Sequence, residues 1–388
     1  MKNVPLTTQT FFSRAIGVAE HYGFCSIDDL QATAPTQRSK RIPLRMHDTS
    51  EEQFDHQVLS NVLKDFAEGS ELRRRQTLMF YTPSIVSCPG TPHKRVSALT
   101  LNAVGTQDPL SEILLIRAAM SVLAELGVTE NRVRVNSIGD SDSAARFVKE
   151  VGMRLREKQR DLPQPYDTMV RTDIASAIAA LYEARHPVTI DLPSPLDFLT
   201  APSRKYFKDI LELLEETGLP FDLDDRLYGR NSMYAHTLYE IIDTRTDTPD
   251  IVARGGRYDH LTRAYTRSTV PAAGIVIAVQ TKNTTQSVGK PQRKKPTACL
   301  VHIGREARIR SIDIVERFRR EKIPIEQCLQ FERFSEQVAY AEAHDSKFVI
   351  ILGQREVHEN VVIVRNASNR SQETIPIDML PDFLRNHC

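Results

Sequence analysis

The run Gly255-Gly256-Arg257-Tyr258-Asp259 gathers residue types that suit the rim of a small-molecule pocket. A glycine pair lets a backbone approach a ligand or turn sharply, because no Cβ stands in the way. A guanidinium beside it can grip two oxygens of a carboxylate or phosphate at once. The apolar run that follows, Ala272 to Val279, ends in Gln280-Thr281 and brings no cation. The frame of a pocket is present, and the apolar strand beside it adds no charge. Plainer roles fit the same residues: a bend between two strands for Gly255 and Gly256, a buried satisfied tyrosine for Tyr258, a cap for Asp259.

Two basic clusters point to a different chemistry, contact with a nucleic-acid backbone. They are His93-Lys94-Arg95 and the group Lys290, Arg293, Lys294 and Lys295. An exposed charged turn and a solvated linker would account for them as well. The 11 histidines show no metal-ligand spacing, and the five cysteines are scattered without a C-x-x-C pair. No metal, no cofactor and no disulfide framework is expected, and the free thiols suit a reducing, cytoplasmic-type compartment.

Such residues need elements to hold them. With 388 residues the chain fits two or three domains, and 40% hydrophobic with 26% charged residues is a globular balance. No run approaches the ~20 apolar residues of a membrane span, and the first residues lack the basic and apolar pattern of a secretory signal. The formal net charge of +1 leaves any nucleic-acid contact to a local patch.

Residues 8–24 have helical apolar spacing through Phe11, Phe12, Ala15, Ile16 and Ala19, stopped at Gly23. Residues 32–75 are polar, with one helix expected near Phe54–Phe66. Two β-rich runs, 77–87 and 96–105, flank Cys88–Arg95, which reads as the turn of a hairpin. Helices are expected at 109–126, then to about Glu183, and from Ala201 to the stop at Gly218. Strands are expected near 132–139, 237–242 and 274–279. The segment 285–296 reads as a basic linker between a body at 1–284 and a domain at 297–388. In that domain strands and helices alternate, which implies a small α/β unit with a largely parallel sheet. The body reads instead as an α+β fold, an antiparallel sheet of six or seven strands flanked by helices.

Several segments in order carry a resemblance: Phe11–Ile27, Gly105–Gly139, Pro195–Leu227, the "RGGRYDHL" of Arg254–Leu261, and Ser335–Leu380. Together they resemble the class II aminoacyl-tRNA synthetases, and the histidyl-tRNA synthetases in particular. The resemblance implies a class II sheet, a C-terminal anticodon-binding-like domain, and a homodimer paired through the first helix and the 109–126 helix.

The departures bear on chemistry. The family places an F-R-x-E motif where Tyr81 to Pro89 holds neither arginine nor glutamate, and a further arginine where Gln280-Thr281 stands. Its histidine-reading segment, R-G-L-D-Y-Y-T, corresponds to Gly229 through Ala235, with Arg230 one step from the expected arginine, Ser232 at the acid, and Tyr234 kept. A one-residue slip on a strand turns a side chain to the other face. Adenylation relies on positive charge placed on phosphates, so no catalytic residue is assigned. The pocket remnant is Arg230, Tyr234, Gly255, Gly256, Arg257, Tyr258 and Asp259. The resemblance then implies a degenerate synthetase-like protein that binds tRNA or another structured RNA, or a protein partner. A regulatory subunit of ATP phosphoribosyltransferase and a divergent active histidine–tRNA ligase are the alternatives.

Overall fold

The computed structural model describes residues 2–32, 59, 63, 78–88, 91–228, 234–245, 250–266, 269–282, 296–329, 331–344 and 346–387. The first sheet is built from β1 (Lys2–Thr7), β2 (Cys25–Ser26), β3 (Leu78–Cys88), β4 (Thr91–Val104), β5 (Asn131–Gly139), β6 (Phe221–Leu223), β7 (Ala235–Asp243), β8 (Asp250–Arg257) and β9 (Ala272–Lys282). Its order is β2-β3-β4-β9-β8-β7-β5-β6, with β1 added to β9. Six adjoining strands, β3 to β5 along that order, are antiparallel throughout. Parallel pairings join only β1, β2 and β6, so the antiparallel expectation holds for the centre of the sheet. The edge strands β2 and β6 have two and three residues and no period for a sequence to show.

Alternation along each strand gives the sheet two chemically different faces. Leu99, Leu101, Ile275, Ile277, Tyr239, Ile241, Val133 and Val135 share one buried cluster with α1 (Thr8–His21), α3 (Leu110–Glu125) and α7 (Ala201–Glu216). A short α2 (Ile27–Ala32) follows β2. Helix α3 is buried from Leu110 to Leu123 with hardly a break. A helix apolar on every side must be covered on every side, and α3 is: the sheet lies under it and the C-terminal domain over it. The helix expected near Phe54–Phe66 falls outside the described residues except for Leu59 and Leu63, which are helical and buried.

Between β5 and β6 lie α4 (Ser141–Glu157), α5 (Tyr166–Thr172) and α6 (Ile174–Glu183), with a small core of Phe147, Val151, Leu155, Ile178, Leu181 and Tyr182. Asp140 ties this unit to α7. One carboxylate oxygen accepts from the Ser143 N–H at 2.9 Å and hydroxyl at 2.8 Å, capping α4. The other accepts from the hydroxyls of Thr200 at 2.5 Å and Ser203 at 3.0 Å, at the start of α7. Burial acts to raise its pKa, but these bonds outweigh it and hold the carboxyl well below its usual range. Asp140→Ala should therefore cost about 2–3 kcal/mol, the α4 cap together with the charge-assisted bonds to Thr200 and Ser203 at the start of α7. Urea denaturation measures it; a loss under about 0.5 kcal/mol would show that the two helix starts do not depend on this carboxylate.

The second sheet has the order β11-β10-β12-β13-β14, from β10 (Ala298–His302), β11 (Ile325–Gln327), β12 (Phe348–Leu352), β13 (Val361–Asn366) and β14 (Gln372–Pro376). Its helices after α8 (Asp259–Thr266) are α9 (Arg305–Arg320), α10 (Phe334–Ala343), α11 (Gln354–Glu359) and α12 (Leu380–His387). Three strands are parallel and two antiparallel, so the sheet is less parallel than alternation implied. Helix α9 lies across α1 and α3 of the body.

Candidate functional site

The face of the first sheet turned away from α1, α3 and α7 carries one row of direct cross-strand neighbours. It runs Asp222, Arg134, Glu240, Arg254, Val276, Thr100, Thr82 from β6 to β3. Arg254 donates to Glu240 at 3.0 Å. Arg134 lies 4.0 Å from Asp224, which also pairs with Arg185. Glu240, flanked by both arginines, has a side chain only 10% exposed. Opposite charges side by side on a sheet neutralise one another, so the row carries positive groups but offers little net positive charge.

Sequence reasoning missed Arg254 and Arg134, which place two guanidinium groups on the face expected to hold none. The signal was available. Alternation from Gly255 puts Arg254 with Gly256 on one face and Arg257 on the other. At the positions where arginines were expected, the strand β3 offers Thr82 and Ser84, and β9 offers Gln280. Gln280 shares the face of Gly274 by alternation. Thr281 points the other way, its hydroxyl 2.7 Å from Thr8 and 2.8 Å from Ser97, beneath α1.

Gly255 and Gly256 lie inside β8 and form no bend, which corrects that reading. A Cβ on Gly255 would collide with the carbonyl oxygen of Gly274 and the ring of Tyr239. A Cβ on Gly256 would meet the carbonyl of Thr237 at 2.5 Å and the Tyr234 ring at 2.9 Å. The glycines make room for tyrosine rings and neighbouring backbone. Tyr258 is fully buried and donates to Asn102 at 2.9 Å. Asp259, at the start of α8, accepts the Ala272 N–H at 2.7 Å.

Arg257 is the largest of the fully buried side chains, on the helix-covered face. It donates to Asp259 at 3.0 Å, to Tyr206 of α7 at 3.1 Å and to the carbonyl of Thr106 at 3.2 Å. Its guanidinium also lies 3.7 Å from Glu112 of α3, whose carboxyl accepts from Tyr206 at 2.5 Å. Burial pushes the Glu112 pKa up to about 7, against the opposing pull of Arg257 and Tyr206. Beside this cluster His236 sits at φ 59°, a left-handed backbone uncommon outside glycine, with its ring 5.8 Å from that of Tyr206. Burial holds its imidazole below the ordinary pKa. Every donor of Arg257 toward these partners is engaged within the protein; the cluster braces the sheet against α3 and α7.

Of the pocket residues expected from sequence, the structure brings Tyr234, Gly255, Gly256, Arg257, Tyr258 and Asp259 together as packing around β8. Arg230 lies outside the described residues, as do Lys290, Arg293, Lys294 and Lys295. His93, Lys94 and Arg95 belong to strand β4, with Arg95 opposite Ser87, and not to a turn. The hairpin is longer than its sequence suggested, because β-pairing extends the two runs toward Pro89-Gly90. Among the described residues no three His, Cys, Asp or Glu side chains are grouped to hold a metal ion, and no helix is long and apolar enough to cross a membrane.

Residues 297–387 match the family model of an anticodon binding domain. Over 290 residues the chain is 24% identical to a histidine–tRNA ligase of Geobacillus sp. (strain WCH70), covering 74% of this chain and 69% of that one. It is 25% identical over 295 residues to the histidine–tRNA ligase of Acholeplasma laidlawii (strain PG-8A), covering 73% and 68%. A solved histidyl-tRNA synthetase of S. aureus aligns with a TM-score of 0.46 at 17% identity, covering 83% of this chain and 80% of that one.

Proposed function

For a chain that is a histidyl-tRNA synthetase-like member of the class II synthetases, with an anticodon binding domain at residues 297–387, we propose a role in RNA binding or regulation without aminoacylation. The observation that carries the reading is the neutralised row on the sheet. Adenylate formation needs cations free to take up phosphate charge. Here Thr82 and Gln280 stand where such cations were expected, and Arg254 is held by Glu240. Arg257 is turned to the other face and bound there.

Retention of the anticodon-type domain supports RNA as the partner. In this reading the body spans 1–284, the basic segment 285–296 joins it to the domain at 297–388, and the protein works as a homodimer in the cytoplasm. The test is a titration with tRNA across a range of salt concentrations. Binding is expected to weaken steeply with salt. Neutralising Lys290, Arg293, Lys294 and Lys295 should lower the slope by up to roughly one for each phosphate these side chains neutralise. Failure to bind any structured RNA at low salt would reject the RNA role. Tight capture of a phosphoribosyltransferase instead would favour the regulatory-subunit reading.

A further inference from the structure

The seam between the two sheets' domains is built around one buried carboxylate. Glu316 of α9 is 7% exposed. It accepts from the hydroxyl of Tyr22, just past α1, at 2.5 Å and from Ser121 of α3 at 3.0 Å. Arg319 binds it through two nitrogens, at 2.8 and 2.9 Å, and reaches on to Glu125 at 2.6 Å. Gln327 of β11 donates to the carbonyl of Tyr22 at 2.7 Å, and the ring of His21 lies 2.8 Å from the carbonyl oxygen of Val315. Ion pairs continue along α9: Arg319 with Glu125 at one end, Asp313 with Arg117, Arg308 with Asp108, and Arg305 with Glu216 at the other.

Two physical points separate this seam from a loose inter-domain contact. A surface ion pair adds little, but a carboxylate stripped of water must find its partners in one geometry. Here Glu316 has the forked guanidinium of Arg319 on its own helix, and only a docking of α9 on α1 and α3 adds the phenol of Tyr22 and the hydroxyl of Ser121. The apolar part agrees, because Phe318, Val315 and Ile312 of α9 belong to the same buried cluster as the residues of α1 and α3. The helices expected to pair two copies are thus covered on this side by their own chain.

We propose that α9 is a fixed brace that docks the anticodon-type domain on the α1–α3 surface of its own chain. The RNA-type domain and the sheet then keep one relative geometry, and a second copy must pair through another surface. The brace holds whether or not RNA is bound.

A protease recognition sequence placed within residues 283–295 of the full chain allows the test. After cleavage the halves should stay together and elute on gel filtration where the uncut protein does. Tyr22→Phe should weaken their association about 10-fold, the worth of one buried hydrogen bond, and Glu316→Ala at least about 100-fold, since the Tyr22 and Ser121 hydroxyls lose their acceptor and Arg319 keeps only Glu125. Arg305→Ala, at the exposed end, should change it less than about 3-fold. Tyr22→Phe removes one oxygen, so it keeps the test usable should Glu316→Ala misfold. Separation of the cut wild-type halves would overturn the brace. So would cross-links at the α9 seam that join two uncut chains rather than closing within one, which would show that α9 docks on a neighbour.

Discussion

In histidine-dependent pyrophosphate exchange this protein is expected to run at least about 10⁴-fold below a ligase with its phosphate-binding arginines in place, a deficit of about 5.5 kcal/mol in transition-state stabilisation. The deficit follows from where charge goes. A carboxylate attacking a phosphate brings two anions together, and only cations already placed and not otherwise engaged lower that barrier. Thr82 and Gln280 offer dipoles in place of charges. Arg254 would have to leave Glu240, and would leave a mostly buried carboxylate beside the incoming phosphates. That rearrangement opposes the reaction twice, by the lost ion pair and by the exposed negative charge. Exchange at rates ordinary for a ligase would reject the degenerate reading. Arg254→Ala would then show whether this arginine had taken the clamp position, by abolishing the exchange or leaving it alone.

What the sequence showed and what it hid follow from the range of the interactions. Helices α1 and α7 were legible because their apolar residues recur at helical spacing within one stretch, and α3 because its run of helix-forming residues is long and free of glycine and proline. The absence of an arginine from Tyr81–Pro89 and from Gln280-Thr281 was legible too, because it is a matter of residue types in a stretch. The purpose of the glycine pair was not: Tyr239 of β7 and Tyr234 just before that strand fill the space beside Gly255 and Gly256. Arg254 opens the RGGRYDHL stretch, and alternation from Gly255 places it on the face opposite Arg257, but its pairing with Glu240 of the neighbouring strand is not visible in the sequence. The seam was out of reach, since Tyr22 and Glu316 are 294 residues apart. The nearly unbroken burial of α3 fits the second layer that covers it, and only the structure shows that layer.

The other large effect concerns stability. Arg257→Leu should destabilise the protein by about 3–5 kcal/mol, because Asp259, Tyr206 and Glu112 would be left in the interior without their cation. Glu112 then gives a finer test of the same cluster. Its pKa is raised from 4.5 to about 7, so the folded state holds this proton more tightly than the unfolded chain does. A carboxyl shifted upward contributes most below pH 4.5, and stability drains away as pH climbs toward 7, by about 3 kcal/mol in all. His302 works in the opposite direction over much of that window. Burial lowers its pKa to about 4, so its contribution grows as pH rises from there toward the ordinary imidazole value. Glu316, held down at about 2 by Arg319 and Tyr22 against the effect of burial, loses its contribution only below pH 4.5. The wild-type profile is therefore a compromise, and the informative quantity is the difference between wild type and Glu112→Gln at each pH. A neutral amide of the same shape removes the one titration and leaves the others. The variant should gain on wild type steadily between pH 4.5 and 7, then stay level above it. A difference curve that is flat across that window would mean Glu112 stays ionised beside Arg257 at neutral pH, and that the buried cluster carries a full negative charge.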